Sequence, residues 1–384
     1  MGLQLSEKTF RAALGNLSDW RPESDGGSKL GYAAHSEPPS SGVYEQVRRA
    51  GENASLPAVD VIILSLDRPN ETISAIESAL SQQDVEQRVF VVDQGSIGAG
   101  LARLQKMAEN HPKLVVKPMG YNTGATTGRN IAASLGSAPY IVGIDNDAEF
   151  MDQHMLARVC DTFRARPDLG ALAFRILNYH TRLDDDSTWD YPEEFRSRAD
   201  QEFPVSHFSA CGFAIRRDLF DWIGGFEEAL FFGAEEIDLC YRLLNQGKRI
   251  SFIPDIIVLH KVTEERRITW EKGRRYYFIA RNSIYFKFKF GASGPDVLLS
   301  AVAWLVKGIY NGLVLQSLLA LIDAARLCLS FWRRRTGKDM YRLDQASIDY
   351  ISACERRRHE SFARKVRKQF VCLSGHQGDR RPGR

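Results

Sequence analysis

Apolar runs of strand length recur along the chain from Val59 onward, and residues with helical spacing follow each run. Val59–Ser65 is almost continuously apolar, which is typical of a parallel strand that is covered on both faces. Pro69 and Glu71 suit the first turn of a helix, because no amide hydrogen is needed there and a carboxylate complements the helix dipole. A strand–helix pattern therefore begins at this point.

The same pattern predicts three more strands, at Arg88–Val92, Leu114–Val116 and Tyr140–Ile144. Helices are predicted between them, one marked by Leu101, Leu104 and Met107 and one over Thr126–Leu135. This alternation indicates an α/β fold with a Rossmann-like, mostly parallel sheet flanked by helices. Ligands bind such sheets beyond the carboxyl ends of the strands. The polar segments at those ends are Ser65–Arg68, Asp93–Ser96 and Asp145–Asp147.

The acidic triplet Asp145–Asn146–Asp147 directly follows the fourth predicted strand. Two carboxylates at positions i and i+2 can share one hard cation, directly or through water. Mg²⁺ and Mn²⁺ prefer oxygen ligands and retain waters, which leaves positions for diphosphate oxygens. A D-x-D sequence alone also marks many ordinary turns, so a turn is the competing interpretation.

Two other strand-associated segments contain candidate ligand contacts. Asp93 can accept hydrogen bonds from a base or ribose, or it can cap the next helix. The loop that ends at Gly124 leads into Gly128-Arg129-Asn130, where Arg129 can contact a phosphate or form a surface ion pair.

A second acidic cluster, Glu235-Glu236-Ile237-Asp238, begins a predicted helix downstream. Its acidic first turn suits the helix dipole, which is a sufficient structural reason for it. The functional alternative is a general base, which typically contributes about 10²- to 10⁴-fold to a rate. His260 ends another apolar run and is either a structural histidine or a contact to metal or diphosphate.

Taken in order, these segments resemble family 2 glycosyltransferases with the GT-A fold, in particular rhamnosyltransferase- or polysaccharide-type members. The resemblance extends from about Val59 to about Phe290. Its motifs are Val61–Glu71, Val91–Ser96, Gly124–Asn130, Asp145–Asp147, Gly224–Glu228, Glu235–Leu239 and Pro254–His260, and Tyr276-Tyr277 with Arg281-Asn282 indicates the subtype.

The resemblance implies a role for each matching position. Asp147 is expected to be the main ligand of Mn²⁺ or Mg²⁺, with Asp145 and His260 beside it. Glu236 is the expected base, although the family normally has Asp there, and Glu235 or Asp238 can share the task. The expected contacts to a nucleotide-sugar donor are Ser65, Asp67, Asp93, Gly124, Arg129, Asn130 and Asp145.

The implied reaction inverts the anomeric centre by a single displacement. It moves one sugar from a nucleotide-diphosphate sugar to a hydroxyl of a glycan or lipid-linked acceptor, in cell-surface polysaccharide synthesis. No Q-x-x-R-W motif is present, so transfer of one sugar per encounter is expected. Two other functions stay open: a nucleotidyltransferase, which needs a Gly-rich basic signature that Ser65–Pro69 lacks, and a non-catalytic nucleotide-sugar-binding module.

Residues 297–332 are rich in Leu, Ala, Val and Trp, but Lys307 and Asp323 interrupt them. The longest uncharged stretch, Gly308–Ile322, has 15 residues, whereas a membrane-spanning helix needs about 20. We therefore expect helices that lie in the membrane interface, with a packed helical subdomain as the alternative.

Charge supports a membrane partner. The whole chain has a net charge of +3, but from Arg333 onward 15 Lys and Arg oppose 6 Asp and Glu, a net of about +9. Such an end favours an anionic membrane surface, and a solvated helical face is the alternative. No nucleic-acid partner is expected, and a homo-oligomer is compatible with the sequence.

The expected organisation has three parts: an N-terminal extension with a flexible linker (1–56), a GT-A domain (57–290) and a helical, basic, membrane-associated region (291–384). The six cysteines contain no C-x-x-C pair, which is typical of a reducing compartment. The expected location is the cytoplasm, at the inner face of the membrane.

Overall fold

The computed structural model describes residues 56–261, 270–334 and 338–355, without the side chains of residues 270–272 and 338–339. Nearly all of the expected N-terminal extension lies outside these residues, as does the part of the basic C-terminal stretch from residue 356 onward.

Strands and helices alternate through the first part of the described chain, as the apolar pattern predicts. Arg68 precedes the first helix in the left-handed conformation, and Pro69 opens that helix at a position where no amide hydrogen is lost. The elements are β1 (Ala58–Ser65), α1 (Pro69–Leu80), β2 (Glu86–Asp93), α2 (Gly100–Asn110), β3 (Leu114–Pro118), α3 (Ala125–Ser134), β4 (Tyr140–Asp145) and β5 (Ala148–Phe150).

The second part adds four strands and the helices that cover them. Its elements are α4 (Met155–Ala165), β6 (Leu169–Asn178), β7 (Phe203–Pro204), β8 (Gly212–Arg216), α5 (Arg217–Trp222), α6 (Glu235–Leu244) and β9 (Arg249–His260). Short 3₁₀ turns cover Glu193–Arg198, Glu228–Leu230 and Lys338–Tyr341. The C-terminal helices are α7 (Trp270–Lys289), α8 (Gly294–Tyr310), α9 (Val314–Arg333) and α10 (Gln345–Glu355).

The strands form one mixed sheet in the order β3-β2-β1-β4-β8-β6-β9-β5, with β7 paired to β9. The first four of these strands are parallel, as expected. β8 runs antiparallel to both of its neighbours, so the sheet is less parallel than the sequence predicts. The burial of a strand on both faces does not reveal its direction, which is why the sequence could not predict this reversal.

The sheet is buried on both faces. In β1, Val59, Val61 and Ile63 face one apolar layer with α1, α2 and α4. Ile62 faces the opposite layer, which α3, α5, α6 and α10 complete. Each fully buried Val or Ile stabilises the fold by about 1.5–3 kcal/mol, so the continuous apolar run is a requirement of this two-sided packing.

The C-terminal helices pack in two places. Helix α7 contacts α8 and α9, with the Tyr277 hydroxyl donating to Asp323 at 2.6 Å. Gly308 lets α8 approach α9 closely, since a Cβ there would lie 1.6 Å from Ser317 Oγ. Helix α10 instead returns to the main sheet, where the Tyr350 hydroxyl donates to the Ile250 carbonyl at 2.7 Å. Residues 345–355 thus share the core of the predicted GT-A domain.

Candidate functional site

A cavity of about 570 Å³ opens at the carboxyl ends of β1 and β4. The predicted site residues on its wall are Ser65, Asp67, Gly124, Arg129, Asp145, Asp147 and His260. Asp93, Asn130, Glu235, Glu236 and Asp238 are not on this wall. Parallel strands bring their carboxyl ends to one edge, so residues distant in sequence meet there.

The two carboxylates of the triplet have different partners. Asp145 Oδ1 is 3.3 Å from Arg129 Nη2, and burial raises the pKa of Asp145. Asp147 forms an ion pair with Arg68 and lies 3.5 Å from His260 Nε2. Burial alone would raise the pKa of Asp147, but His260 and Arg68 lower it below its usual value. Asp147 is therefore the more strongly ionised of the two.

Strand pairing brings Asp147 and His260 together. Ala148 of β5 is paired with His260 of β9, and the Lys261 amide donates to the Asp147 carbonyl at 2.8 Å. Burial lowers the pKa of His260, but hydrogen bonds with Asp147 and Asp185 raise it more, to about 10. Each ring nitrogen of His260 therefore faces a carboxylate, Asp185 at Nδ1 and Asp147 at Nε2.

These donors fit a cation that is only partly coordinated by protein. Within the described ranges, no three His, Cys, Asp or Glu side chains converge on one point. Asp147 and His260 supply one oxygen and one nitrogen, and Mn²⁺ and Mg²⁺ commonly complete their coordination with water and phosphate oxygens. Asn146 donates instead to Thr72 Oγ1 at 3.2 Å, so its amide stabilises the turn.

The loop between β1 and α1 has an unusual backbone. Asp67 and Arg68 both have positive φ, 52° and 62°, a conformation that non-glycine residues rarely adopt. Asp67 Oδ1 accepts from the Ile97 amide at 3.1 Å, and the Asp67 amide donates to Ser96 Oγ at 2.9 Å. This loop directs the Arg68 guanidinium into the cavity beside Asp147.

Asp93 and Asn130 stabilise loops instead of facing the cavity. The fully buried Asp93 accepts hydrogen bonds from the Gly95 and Ser96 amides and from Ser96 Oγ. Asn130 donates to the Phe226 carbonyl at 2.9 Å and accepts from the Phe226 amide at 2.8 Å. The direct donor contacts expected of these two residues are therefore not supported by their positions.

Arg129 connects the acidic triplet to the second acidic cluster. Its guanidinium lies 3.3 Å from Asp145 and 3.3 Å from Glu235. Gly124 permits the turn before α3, because its φ is +89° and a Cβ would lie 2.6 Å from the Phe231 ring. Two acidic motifs about 90 residues apart in the sequence thereby share one cation, Arg129.

The three acids that begin α6 have three different environments. Glu235 is 2% exposed, and its Oε2 has no hydrogen-bond partner among the residues that the structure describes. Glu236 is half-buried, and burial together with the Glu235 charge raises its pKa to about 8. Asp238 is fully buried between Arg242 and Lys289, at 2.7 and 2.5 Å, which lower its pKa. Asp238 is thus a structural ion-pair partner, not a shared base.

The Arg281-Asn282 pair holds the loop that precedes α6. Arg281 Nη2 donates to the Ala229 and Leu230 carbonyls, and Asn282 Nδ2 donates to the Leu230, Phe232 and Gly233 carbonyls at 2.7–2.9 Å. The same loop has positive φ at Phe231 and Ala234, 61° and 68°. Hydrogen bonds from α7 thereby fix the backbone that leads to Glu235 and Glu236.

Several cavity residues were not recognised from the sequence. Arg68 has a sequence signal, because it directly follows the end of the first strand, whereas Arg274 and Arg275 lie in a stretch rich in charged residues with no distinct spacing. Phe231 and Phe278 also line the cavity, with their rings stacked 4.9 Å apart. Asp185, the second partner of His260, lies within a run of three aspartates that resembles an ordinary acidic loop.

Comparison with known families agrees with this geometry. The family model described as "Glycosyl transferase family 2" matches residues 60–224, a segment that includes the acidic triplet. Residues 60–224 therefore match glycosyltransferase family 2, in agreement with the predicted family. The mixed α/β sheet with flanking helices confirms the predicted fold class. The rhamnosyltransferase or polysaccharide subtype stays a prediction.

Individual relatives are distant. An N-acetylglucosaminyltransferase of Rhizobium meliloti (strain 1021) is 25% identical over 222 residues, 54% of this chain and 52% of that protein. Polypeptide N-acetylgalactosaminyltransferase 3 of Homo sapiens is 22% identical over 256 residues, 60% of this chain and 40% of that protein. The chain thus spans about half the length, or less, of these curated relatives.

One solved structure with a similar arrangement is the mannosyltransferase PcManGT from Pyrobaculum calidifontis in complex with GDP-Man and Mn²⁺. It has a TM-score of 0.48 and 16% identity, and the alignment covers 80% of this chain and 93% of that one.

Proposed function

We propose that this protein transfers one sugar from a nucleotide-diphosphate sugar to an acceptor hydroxyl, with inversion of the anomeric centre. The observation that supports this best is the Asp147–His260 pair beside Arg68 in one cavity. The cavity volume of about 570 Å³ suits a nucleotide-sugar, since small-molecule sites typically measure about 300–1,000 Å³.

The donor is proposed to lie along the carboxyl ends of β1 and β4. Ser65, Asp67 and Gly124 line this part of the cavity and are proposed to contact the nucleotide. Arg68 and Arg129 supply fixed positive charge for the diphosphate, and guanidinium groups bind such oxygens in bidentate geometry. Asp93 supports the nucleotide side indirectly, through the loop that it holds.

Asp147 and His260 are proposed to hold Mn²⁺ or Mg²⁺, with Asp145 as a nearby helper. A bound cation would neutralise the charge that builds on the departing nucleoside diphosphate. His260 would bind a metal through an unprotonated Nε2, while Nδ1 keeps its proton and donates it in a hydrogen bond to Asp185. Arg68, which pairs with Asp147 in this structure, would instead be available to the diphosphate oxygens, which are competing anions in the same cavity.

Glu236 is proposed as the general base that removes the proton of the acceptor hydroxyl. The charges of Arg129 and Asp145, which both line the cavity, act on this carboxyl. A base with a pKa near the working pH combines a sufficient ionised fraction with good proton affinity. Glu235 is proposed to act indirectly, because its ion pair with Arg129 fixes the start of α6 beside Glu236.

The proposed acceptor is a glycan or a lipid-linked sugar at an anionic membrane surface. Helices α8 and α9 expose large apolar side chains, among them Leu298, Leu299, Leu315 and Trp332 at 55–69% exposure. Within the described residues, one helix, Val314–Arg333, is long and apolar enough to cross a membrane by length and composition. We favour a hairpin that lies on the surface, because Arg326, Arg333 and Arg334 share its end.

The proposal is tested by screening nucleotide-sugars for a thermal shift with and without Mn²⁺, followed by assays of nucleoside diphosphate release. We expect one donor to stabilise the protein and to release its diphosphate when acceptor and Mn²⁺ are present. Release of pyrophosphate from a sugar phosphate and a nucleoside triphosphate would instead identify a nucleotidyltransferase. Donor binding with no turnover on any glycan or lipid-linked acceptor would favour a non-catalytic binding module.

A further inference from the structure

Asp185 is a buried carboxylate that contacts the proposed cation site through a histidine. It is 4% exposed, and its Oδ2 lies 2.5 Å from His260 Nδ1. The Ser187 amide and hydroxyl also donate to this carboxylate, at 2.8 and 3.0 Å. The opposite side of the imidazole, Nε2, lies 3.5 Å from Asp147 Oδ1. His260 therefore lies between a carboxylate in the cavity and one behind it.

The turn after β6 explains how a loop residue reaches this position. Asn178 at the end of β6 is paired in register with His260 at the end of β9. The chain then reverses through a turn in which Asn178 Oδ1 accepts from the amides of residues 180 and 181. It returns along β6, where the Asp185 amide donates to the Ile176 carbonyl at 3.0 Å. Asp185 is thus held by backbone hydrogen bonds next to the end of β9.

Neighbouring carboxylates in the same run have unrelated contacts. Asp184 pairs with Arg175 at 2.8 Å, and Asp186 is 92% exposed and pairs with Arg196 at 2.8 Å. Asp185 alone of the three contacts His260, so the run is not one acidic surface with a common function.

We propose that Asp185 is a positioning residue that fixes the ring orientation and the protonated nitrogen of His260. Because Nδ1–H donates to Asp185, only Nε2 is available as a metal ligand, and it faces Asp147. Histidines that bind metals commonly donate their other nitrogen to a carboxylate, and loss of that partner typically costs 10- to 100-fold in metal affinity or activity. This inference rests on the proposed cation site.

A purely structural function for Asp185 makes a different prediction. The carboxylate also holds Ser187, so its removal can disturb the turn without acting through the imidazole. If Asp185 acts through His260, its substitution should no longer change Mn²⁺ affinity once His260 is removed. If Asp185 only stabilises the turn, its substitution should change Mn²⁺ affinity equally with and without His260. A double-mutant cycle separates the two functions.

The test is Mn²⁺ binding to the full chain without donor, measured by the electron paramagnetic resonance signal of free Mn²⁺. We expect Asp185→Ala to bind Mn²⁺ about 10- to 100-fold more weakly than the wild type. Asp185→Asn should lose less Mn²⁺ affinity, because its amide oxygen still accepts a hydrogen bond from Nδ1–H. This variant replaces Asp185→Ala if the alanine variant does not fold. Asp186→Ala is the matched control and should bind like the wild type.

In the His260→Ala background, Asp185→Ala should change Mn²⁺ affinity by less than about twofold, since the contact that carries its effect is absent. An undiminished loss in that background would overturn the inference, as would wild-type affinity in the Asp185→Ala and Asp185→Asn single variants. Absence of Mn²⁺ binding by the wild type would overturn the cation site itself, and the inference with it.

Discussion

Glu235, Glu236 and Asp238 occupy one helical turn, yet burial and charge give each a different chemical character. The negative charge of Asp238 is balanced by two buried cationic side chains, Arg242 and Lys289, which lower the pKa of this carboxyl. Glu235 is held by Arg129, whereas Glu236 has no ion pair within 4.0 Å in the part of the chain that the structure describes. These differences leave Glu236 as the acid best suited to exchange a proton near neutral pH.

Glu236→Gln should lower kcat by about 10²- to 10⁴-fold, because the amide keeps the size of the side chain but cannot accept the acceptor proton. Donor affinity, measured by calorimetry, should stay within about twofold of the wild type. Glu109→Gln on the exposed face of α2 is the control and should have wild-type turnover. Wild-type turnover in Glu236→Gln would place the base elsewhere.

The pH dependence tests the same residue independently. The pKa of Glu236 is raised to about 8, so the reactive carboxylate forms only as the pH rises through this value. The wild-type kcat/KM for the acceptor should therefore rise with pH and level off above a pKa of about 8. Glu236→Gln should not show this rise. A wild-type profile that is flat from pH 6 to 9 would contradict the assignment.

At the scale of elements, the loop between the Glu228–Leu230 turn and α6 depends on hydrogen bonds from α7. Its positive-φ residues, Phe231 and Ala234, lie in a conformation that costs of order 1–3 kcal/mol each. Asn282 satisfies three carbonyls of this loop. The resulting backbone holds Glu235 and Glu236 in place opposite Arg129.

Asn282→Ala should destabilise the protein by about 1–3 kcal/mol, because buried carbonyls lose their donor. Turnover should fall with it, since the backbone before the proposed base relaxes. Denaturant unfolding measures the first effect, and kcat at a saturating donor concentration measures the second. Asn110→Ala, which removes an exposed bond within α2, should change neither. Unaltered stability and turnover in Asn282→Ala would show that this contact is dispensable.

Secondary structure near the site could be predicted well, because a strand covered on both faces requires an uninterrupted apolar run. Observed β1 differs from the predicted strand only by one residue at its start. Contacts between distant elements could not be predicted in the same way. The pairing of Asp185 with His260 follows from the β6–β9 register and a reversal of the chain, neither of which leaves a periodic signal.

Asn130 illustrates the opposite case. Its place in a recognisable motif indicated a donor contact, but its amide spans to the backbone of Phe226, 96 residues away. A motif defines which residues occur near a site, whereas the direction of each side chain depends on the tertiary contacts that compete for it.

At the scale of the whole molecule, α7 connects the cavity at the ends of β1 and β4 to the exposed apolar hairpin formed by α8 and α9. Arg274 and Phe278 line the cavity, while Tyr276 and Tyr277 on the same helix bond to α8 and α9. An acceptor with a lipid tail would therefore reach a site that is attached directly to α8 and α9, the helices that are proposed to lie on the membrane.

Paired Leu298→Ser and Leu299→Ser substitutions should weaken flotation with anionic vesicles by at least about tenfold, because both side chains are more than 60% exposed on α8. Binding by the wild type should also fall as salt rises. Leu183→Ser, which changes an equally exposed leucine outside the hairpin, should float like the wild type. Equal flotation of all three proteins, or no vesicle binding by the wild type at low salt, would contradict the proposal that this hairpin binds an anionic membrane surface.

The most direct measurement of the central claim is nucleoside diphosphate release by Asp147→Ala with the preferred donor, an acceptor and Mn²⁺. The wild-type protein should release the diphosphate and form a product of inverted configuration. This release should stop when the cation is chelated. Asp147→Ala should remain folded by circular dichroism and release at least about 10²-fold less, because the proposed cation loses its main ligand. Wild-type release by this variant would contradict the account.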